Sequence, residues 1–502
     1  MLSPRQLRAD PADPTWPDRD RIFRAADATE TWPGEAEDVL GAPGLVTAAA
    51  VGAALAERML AARFGRSLVD HRTWLFAGAA ELAAGATHEA AAIAGAMPLN
   101  RLTVIAHLPH SESLALNRFA AMGWAVRRVE LSDRGAFDAA VSAAQRAQKP
   151  TLIACFGARP ETPPDLEKRN RGPGARLAWL KRLRRHASAE AFQRAESGRP
   201  PQVWLEAVAT AADQPTVSPA AAAMAALGRL AAAWPELAGF APDPAFAGAA
   251  ARSVAWGGRA TAIAGGLFGM ALHGGLVPVA HIAASAAELA LPAFRAAALA
   301  GLRTIHLIEE TASLPASLFA AWRALPTARF FRPATGAEAV ECLEAALRYQ
   351  HGPSILLLAR SSAAAPRRGM AGRGGYLLEA PADRDVTLIA GGADLALATA
   401  AHDMLAAAGI RAALVSLPCR QVFALQAAEY RAQALGDAPR VGLEAGCPFG
   451  WAALLGPDGL FIDSATTSDA AGVAATISRY LRRGRRVLDN TAEFLESGGG
   501  AA

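Results

Sequence analysis

The feature that most constrains this chain is an alternation. A short apolar run with β-branched or aromatic residues is followed by a long alanine- and leucine-rich stretch, and the pattern repeats. The runs are TWLFAGA (73–79), RLTVIAHLP (101–109), PTLIACFGA (150–158), RTIHLIEE (303–310), PSILLLARSS (353–362), DVTLIAGGADL (385–395), IRAALVSLP (410–418) and PRVGLEAG (439–446). Each reads as a strand buried on both faces. The stretches between, among them Val46–Arg63, His88–Ala96, Ala396–Ala408 and Ala470–Arg482, read as helices. Strand then helix, repeated, predicts an α/β protein of mainly parallel sheets flanked by helices.

A single core rarely grows past about 250–300 residues, so 502 residues imply several domains. Two segments read as linkers. Arg159 to about Pro201 carries ARPETPP, RNRGPG and ESGRPP, and Ala363 to Arg373 is rich in Gly, Pro and Arg. They divide the chain into units 1–205, 206–365 and 366–502, each large enough for its own α/β sheet.

All but three of the 50 basic residues are arginine, and alanine crowds nearly every segment, which reads as genome composition. A formal net charge of +4 is small for this length, and the dense basic run Lys181-Arg182-Leu183-Arg184-Arg185-His186 has no interleaved aromatics, so no nucleic-acid partner is expected. The cysteines Cys155, Cys342, Cys419 and Cys447 are dispersed, without a CxxC pair, which suits a reducing cytoplasm. The polar, proline-rich start has no apolar core of a signal peptide. Ala260 to Ala280 is uncharged and long enough to cross a bilayer. Its five glycines, His273 and Pro278, set among strand and helix signals, favour a buried helix and strand, and no membrane partner is expected.

In open parallel sheets, chemistry gathers at the carboxyl ends of strands. The loop after the first run, GAAELAAGATHEA from Gly78 to Ala90, resembles the GDGxxxEGxxxEA segment of transketolases, enzymes that use thiamine diphosphate to move two-carbon units between sugar phosphates. Further matches are collinear. DPTWPDRDRIF (13–23) resembles NPxWxxRDRF, RFAAMGWAV (118–126) resembles RFxAYGW, and GMALHGG (269–275) resembles NGIALHGG. FFRPATGAEA (330–339) is similar to a segment containing RPAD, and GPSILLLARSS (352–362) to GPTALxLSRQ. VSLPCRQVFALQAAEYR (415–431) and RVGLEAG (440–446) resemble VSMPxxxxFxxQxxxYR and VxVEAG.

The resemblance implies a set of site positions, and this chain departs from the family at most of them. The family's metal ligands, an aspartate and an asparagine, fall at Ala79 and Ser111, where neither side chain is a good hard-cation ligand; His107 and His110 lie nearby. The glutamate that drives proton removal from the cofactor falls at Ala260, thirteen residues before His273, with Arg259 beside it. The aromatics that hold the pyrimidine ring fall at Ala283, Ala286 and Leu289. The family's histidine-rich substrate loop is missing after IEETAS, leaving the carboxylates Glu309 and Glu310, read as a solvated turn or a new acid–base pair. The family's SGHPG segment would precede this chain's start, and the histidine of NGHGS falls at Ala28. Arg360 matches an arginine that grips a sugar phosphate and, with Arg259, is a candidate substrate contact.

These departures predict a catalytically inactive homologue with no metal or catalytic residue and no cofactor expected. Its role would be regulatory, scaffolding or small-molecule binding. The alternative is an active transketolase-type enzyme with thiamine diphosphate and Mg²⁺. The resemblance also implies a homodimer, or a heteromer with another transketolase-type chain.

Overall fold

A computed structural model describes residues 20–28, 42–110, 113–158, 173–201, 218–241, 254–255, 258–311, 314–315, 317–360, 370–446 and 448–496. The strands form three sheets. The first has the order β1-β2-β3-β5-β4, from β1 (Arg21–Arg24), β2 (Thr73–Ala77), β3 (Leu102–His107), β4 (Ala125–Glu130) and β5 (Thr151–Phe156), all parallel. The second, β10-β11-β9-β8-β6-β7, is also parallel. It is built from β6 (Leu237–Ala241), β7 (Val254–Ala255), β8 (Val277–Ile282), β9 (Ile305–Glu309), β10 (Arg329–Phe331) and β11 (Ser354–Leu358). The third, β12-β14-β13-β15-β16, comprises β12 (Tyr376–Glu379), β13 (Val386–Ala390), β14 (Ala412–Ser416), β15 (Arg440–Glu444) and β16 (Leu460–Asp463). Only its edge strand β12 runs antiparallel among the described pairings. The α/β architecture read from the alternation is the one observed.

Helices α1 (Leu45–Phe64), α2 (Ala79–Ala83), α3 (Gly85–Ala96), α4 (Ser113–Ala121) and α5 (Arg134–Arg146) accompany the first sheet. The segment 173–201, read as linker, is instead largely helical: α6 (Pro173–Arg185) and α7 (Ala189–Ser197) dock Trp179, Leu183 and Phe192 into the core. The Trp179 indole donates to the Leu68 carbonyl at 2.9 Å, and Phe192 meets Phe64 edge to face at 5.1 Å. The basic run therefore lies on a helix that buries its apolar side, and residues 159–172 of the expected linker lie outside the described residues. The second sheet carries α8 (Pro219–Ala233), α9 (Ala260–His273), α10 (Leu291–Leu299), α11 (Ser317–Ala324) and α12 (Gly336–Arg348). The third carries α13 (Asp394–Ala407), α14 (Arg420–Ala424), α15 (Ala428–Leu435), α16 (Ala452–Leu455) and α17 (Ala470–Glu496).

The largest core runs from the first sheet into the second through a crossing of α1 and α9. A Cβ on Gly52 would fall 2.0 Å from the Gly266 carbonyl oxygen, and one on Gly269 would fall 1.8 Å from that of Ala49, so the two backbones touch directly. Alanine and glycine are a packing requirement here, whatever set their overall abundance. Among the described residues α1 is the one helix long and apolar enough to cross a membrane, and it lies in this core. The segment 260–280 is α9 followed by the start of β8, also buried.

Candidate functional site

The loop after β2 is the first strand end where chemistry is expected. Gly78 is buried, Ala79 half-buried and Ala80 exposed, and Ala79 opens α2. No carboxylate projects from positions 78–80, yet one arrives from the end of β1. Asp27, in the 3-10 turn Ala26–Ala28, accepts the Gly78 N–H through Oδ1 and the Glu81 N–H through Oδ2, each at 2.9 Å. Gly78 permits this approach, because a Cβ there would fall 2.6 Å from Asp27 Cγ. Reading the loop alone missed this carboxylate.

The next side chain works on the fold. Glu81 is buried and accepts from Gly44 N at 2.7 Å, Thr47 N at 2.9 Å and Thr47 Oγ1 at 2.7 Å, capping α1, whose own preceding residue, Gly44, offers no side chain. Burial pushes its carboxyl up against those hydrogen bonds, and the charge of Asp27 adds to the rise.

Ser111 lies outside the described residues. His107 Nε2 donates to the Gly157 carbonyl at 3.0 Å, and His110 Nε2 lies 3.5 Å from Glu130, so the ends of β5 and β4 engage both imidazoles. Among the described residues no group of three or more His, Cys, Asp or Glu could hold a metal ion by itself.

Ala260 opens α9 and is 4% exposed, within the largest core. A carboxylate does reach this helix start, from another helix: Glu89 of α3 accepts the Ala262 N–H at 3.1 Å and caps it. The neighbouring Arg259 is exposed. After β8, Ala283 and Leu289 are exposed and Ala286 is half-buried, and none of the three presents an aromatic ring.

The strand ends of the second sheet are ion-paired. Glu309 Oε2 takes Arg360 Nε at 2.9 Å and Nη2 at 2.6 Å, while its Oε1 lies 3.8 Å from His281 Nε2. Glu310 takes Arg332 Nη2 at 2.9 Å. The pair is therefore neither a solvated turn nor two free carboxylates. Arg360 itself is 73% exposed at its side chain.

Arg332 joins the second and third sheets. Besides Glu310 it meets Asp394 at 3.0 Å and Glu444 at 2.8 Å, and Glu444 also takes two hydrogen bonds from Arg323, at 2.7 and 2.6 Å, and one from Arg420 at 2.6 Å. Gly392, at φ +62°, leaves room for it, since a Cβ there would sit 3.1 Å from Arg332 Nε. Burial alone would raise the Glu444 carboxyl, but the Arg323 hydrogen bonds and the charges of Arg332, Arg323 and Arg420 hold it down at about 2. The RPAT and EAG segments, far apart in sequence, thus meet in one buried cluster.

Two buried histidines set an acid limit. His273 Nδ1 donates to the Gly274 carbonyl at 2.9 Å, so its Nε2 accepts from His71 Nε2 at 2.8 Å. Burial, with the charge of Arg21, lowers His273 to about 3, and burial lowers His306 to about 3. Folded, both bind a proton less readily than the unfolded chain does. Stability therefore falls as pH drops from the ordinary value of 6.5 toward about 3. At pH 5 the expected loss is about 2 kcal/mol per histidine. Urea unfolding between pH 7 and 5 measures it, and His306→Gln is expected to remove one share of the slope.

Comparison with known proteins decides the family. Residues 374–473 match the transketolase-like C-terminal domain, and residues 35–179 match the transketolase thiamine diphosphate binding domain. A transketolase of Cereibacter sphaeroides is 32% identical over 92% of this chain and 88% of its own length. The chain belongs to the transketolase family. A Sinorhizobium medicae transketolase is 30% identical over 92% of this chain and 84% of its own. Among solved structures, Leishmania mexicana transketolase superposes with a TM-score of 0.80 at 22% identity, covering 96% of this chain and 92% of that one. A Pichia stipitis transketolase in complex with sedoheptulose 7-phosphate gives 0.81 at 20% identity, covering 95% and 92%.

The expectation that no cofactor belongs to this transketolase-family chain is thereby corrected. Its thiamine diphosphate binding domain match and its transketolase relatives point to thiamine diphosphate. When bound, that cofactor supplies the electron sink for making and breaking carbon–carbon bonds. The residues present do not complete either of its ends. At the metal and diphosphate end the carboxylate at the loop, Asp27, has both oxygens on the Gly78 and Glu81 amides, and the described residues hold no group of ligands for a metal. At the pyrimidine end, position 260 holds a packed methyl group, and no ring stands at 283, 286 or 289. Asp27 was hidden from sequence reading because its partners lie 51 and 54 residues away.

Proposed function

We propose that this chain is a non-catalytic member of the transketolase family, retaining the fold and a cofactor-binding domain while having lost ketol transfer. The observation that carries the reading is Ala260. In the family a glutamate at the matching position drives proton removal from the cofactor, and a methyl group packed at 4% exposure has no such chemistry. Glu89, the carboxylate that reaches this helix start, is held by the Ala262 amide. The changes at Ala79, Ser111, Ala283, Ala286 and Leu289 belong to the same loss.

The role that remains is regulatory or scaffolding, exercised in the cytoplasm as a homodimer or as a partner of an active transketolase-type chain. Arg360, exposed although paired with Glu309, and the exposed Arg259 are the cationic candidates for contact with a sugar phosphate. The units 1–205, 206–365 and 366–502 are its working divisions. A ketol-transfer assay with a ketose phosphate donor, an aldose phosphate acceptor, thiamine diphosphate and Mg²⁺ tests the reading. Turnover about 10⁴-fold below that of an active relative is expected. Turnover within tenfold of the relative overturns the proposal.

A further inference from the structure

We propose that the overhanging end of α17 is a docking surface for a second copy of this chain, the two helices lying antiparallel with the basic stretch of each beside the acidic stretch of the other. This concerns assembly and stands whether or not ketol transfer is lost. Length comes first. α17 runs from Ala470 to Glu496 and packs on α13, Asp394–Ala407. At 1.5 Å per residue α17 is about 40 Å long and α13 about 21 Å, so roughly half of α17 has no counterpart in the helix beside it. The two helices run in the same direction, because they follow β13 and β16, which are parallel members of one sheet.

The early turns of α17 are anchored. Val473, Ala474 and Ile477 are buried in the third sheet's core, Leu481 packs beside them, and the Tyr480 hydroxyl donates to the Asp458 carbonyl, just ahead of β16. That anchor lies at the amino end of β16, so the helix leaves the sheet at the edge opposite the strand ends of the candidate site. Arg482 and Arg483, the next residues, are exposed. Beyond them the apolar pattern does not stop. At about 100° per residue, positions 484, 488, 491, 492 and 495 fall on the side of the helix that carries Val473, Ile477 and Leu481. They hold Gly484, Leu488, Thr491, Ala492 and Leu495, with no charge among them. The stripe that seats α17 on the sheet therefore continues where the sheet has ended, and such a stripe is a seam for another helix.

The order of charges names the occupant. Arg479, Arg482, Arg483, Arg485 and Arg486 come first and Asp489, Glu493 and Glu496 last, with no acidic residue in the first block and no basic residue in the second. Charges flanking a helix seam set partner choice and orientation. Two parallel copies would bring like blocks together. Two antiparallel copies set each block beside its opposite, about a two-fold axis near Val487 and Leu488, which is the self-complementary contact of an isologous pair. A partner helix of a single sign would match one block and repel the other.

Sedimentation equilibrium of the full chain tests the pairing. One variant reverses the basic block (Arg482→Glu, Arg483→Glu, Arg485→Glu, Arg486→Glu), and a second reverses the acidic block (Asp489→Lys, Glu493→Lys, Glu496→Lys). Whatever state the other surfaces of the protein set, the wild-type mass is expected to be about twice that of either variant alone. An equimolar mixture of the two variants is expected to recover the wild-type mass, and so is a chain carrying both reversals. A wild type no heavier than the variants overturns the proposal, whether the end of α17 then takes a different protein or none. A mixture that stays at the lower mass overturns it too. Should one variant fail to fold, the mass of the other against wild type still decides. None of these outcomes bears on ketol transfer, so the two readings fail separately.

Discussion

Replacing Glu444 by glutamine is expected to cost about 3–5 kcal/mol and to divide thermal unfolding into two transitions. Glu444 is 4% exposed and takes hydrogen bonds from Arg323, Arg332, Arg420 and the Trp451 indole. Glutamine keeps the volume and removes the charge. It leaves Arg332 with Glu310 and Asp394 and takes from Arg323 and Arg420 the carboxylate they share, and an uncompensated buried charge is the costly outcome of breaking such a cluster. Arg323 and Arg332 come from the second sheet's unit, while Glu444, Arg420 and Asp394 come from the third. The damage therefore falls on the junction. The third unit is expected to melt first, as a separate calorimetric peak. The exposed pair Arg348–Glu344 is the control, since Arg348→Gln should change stability by less than about 1 kcal/mol. A Glu444→Gln protein that melts in one transition within about 1 kcal/mol of wild type would refute the assignment of this cluster as the junction.

How much was legible follows from where each strand lies. The eight apolar runs become β2, β3, β5, β9, β11, β13, β14 and β15, and every one is interior to its sheet. An interior parallel strand is covered on both faces and reads as an unbroken apolar run. Edge strands do not. In β4 Arg127 and Arg128 are exposed, so AVRRVE gives no such run, and β10 and β12 are only three and four residues long. The helices at 173–197 were hidden in a similar way, because their arginines outnumber the few residues, Trp179, Leu183 and Phe192, that anchor them.

The site was legible where it depends on residue type and hidden where it depends on contact. Ala79 and Ala260 can be noticed only through a resemblance that says what usually stands there. Asp27 follows from no local pattern: its partners come from another strand end, and the clue, a glycine needed for space, becomes visible only once the chains are packed. Glu309 and Glu310, read as a solvated turn or an acid–base pair, are instead ion-paired to Arg360 and Arg332, and Arg332 reaches on to Glu444, contacts that no local pattern shows. The expectation of no cofactor is overturned by the match to the transketolase thiamine diphosphate binding domain and by transketolase relatives, neither of which shows in any one side chain of the loop.

The proposed loss of ketol transfer rests on a helix start without a glutamate at position 260, and one measurement tests it without any sugar substrate. The hydrogen on the thiazolium carbon of thiamine diphosphate exchanges slowly with deuterium in water, and a positioned general base can accelerate such a transfer by about 10²–10⁴-fold. With the protein in excess and saturating Mg²⁺, quenched NMR samples give the rate of exchange. Ala260 predicts a rate within about tenfold of the free cofactor's, the same in wild type and in Glu89→Gln. An acceleration of about 10³-fold or more would contradict the account, and its loss in Glu89→Gln would name the base that replaced the missing glutamate.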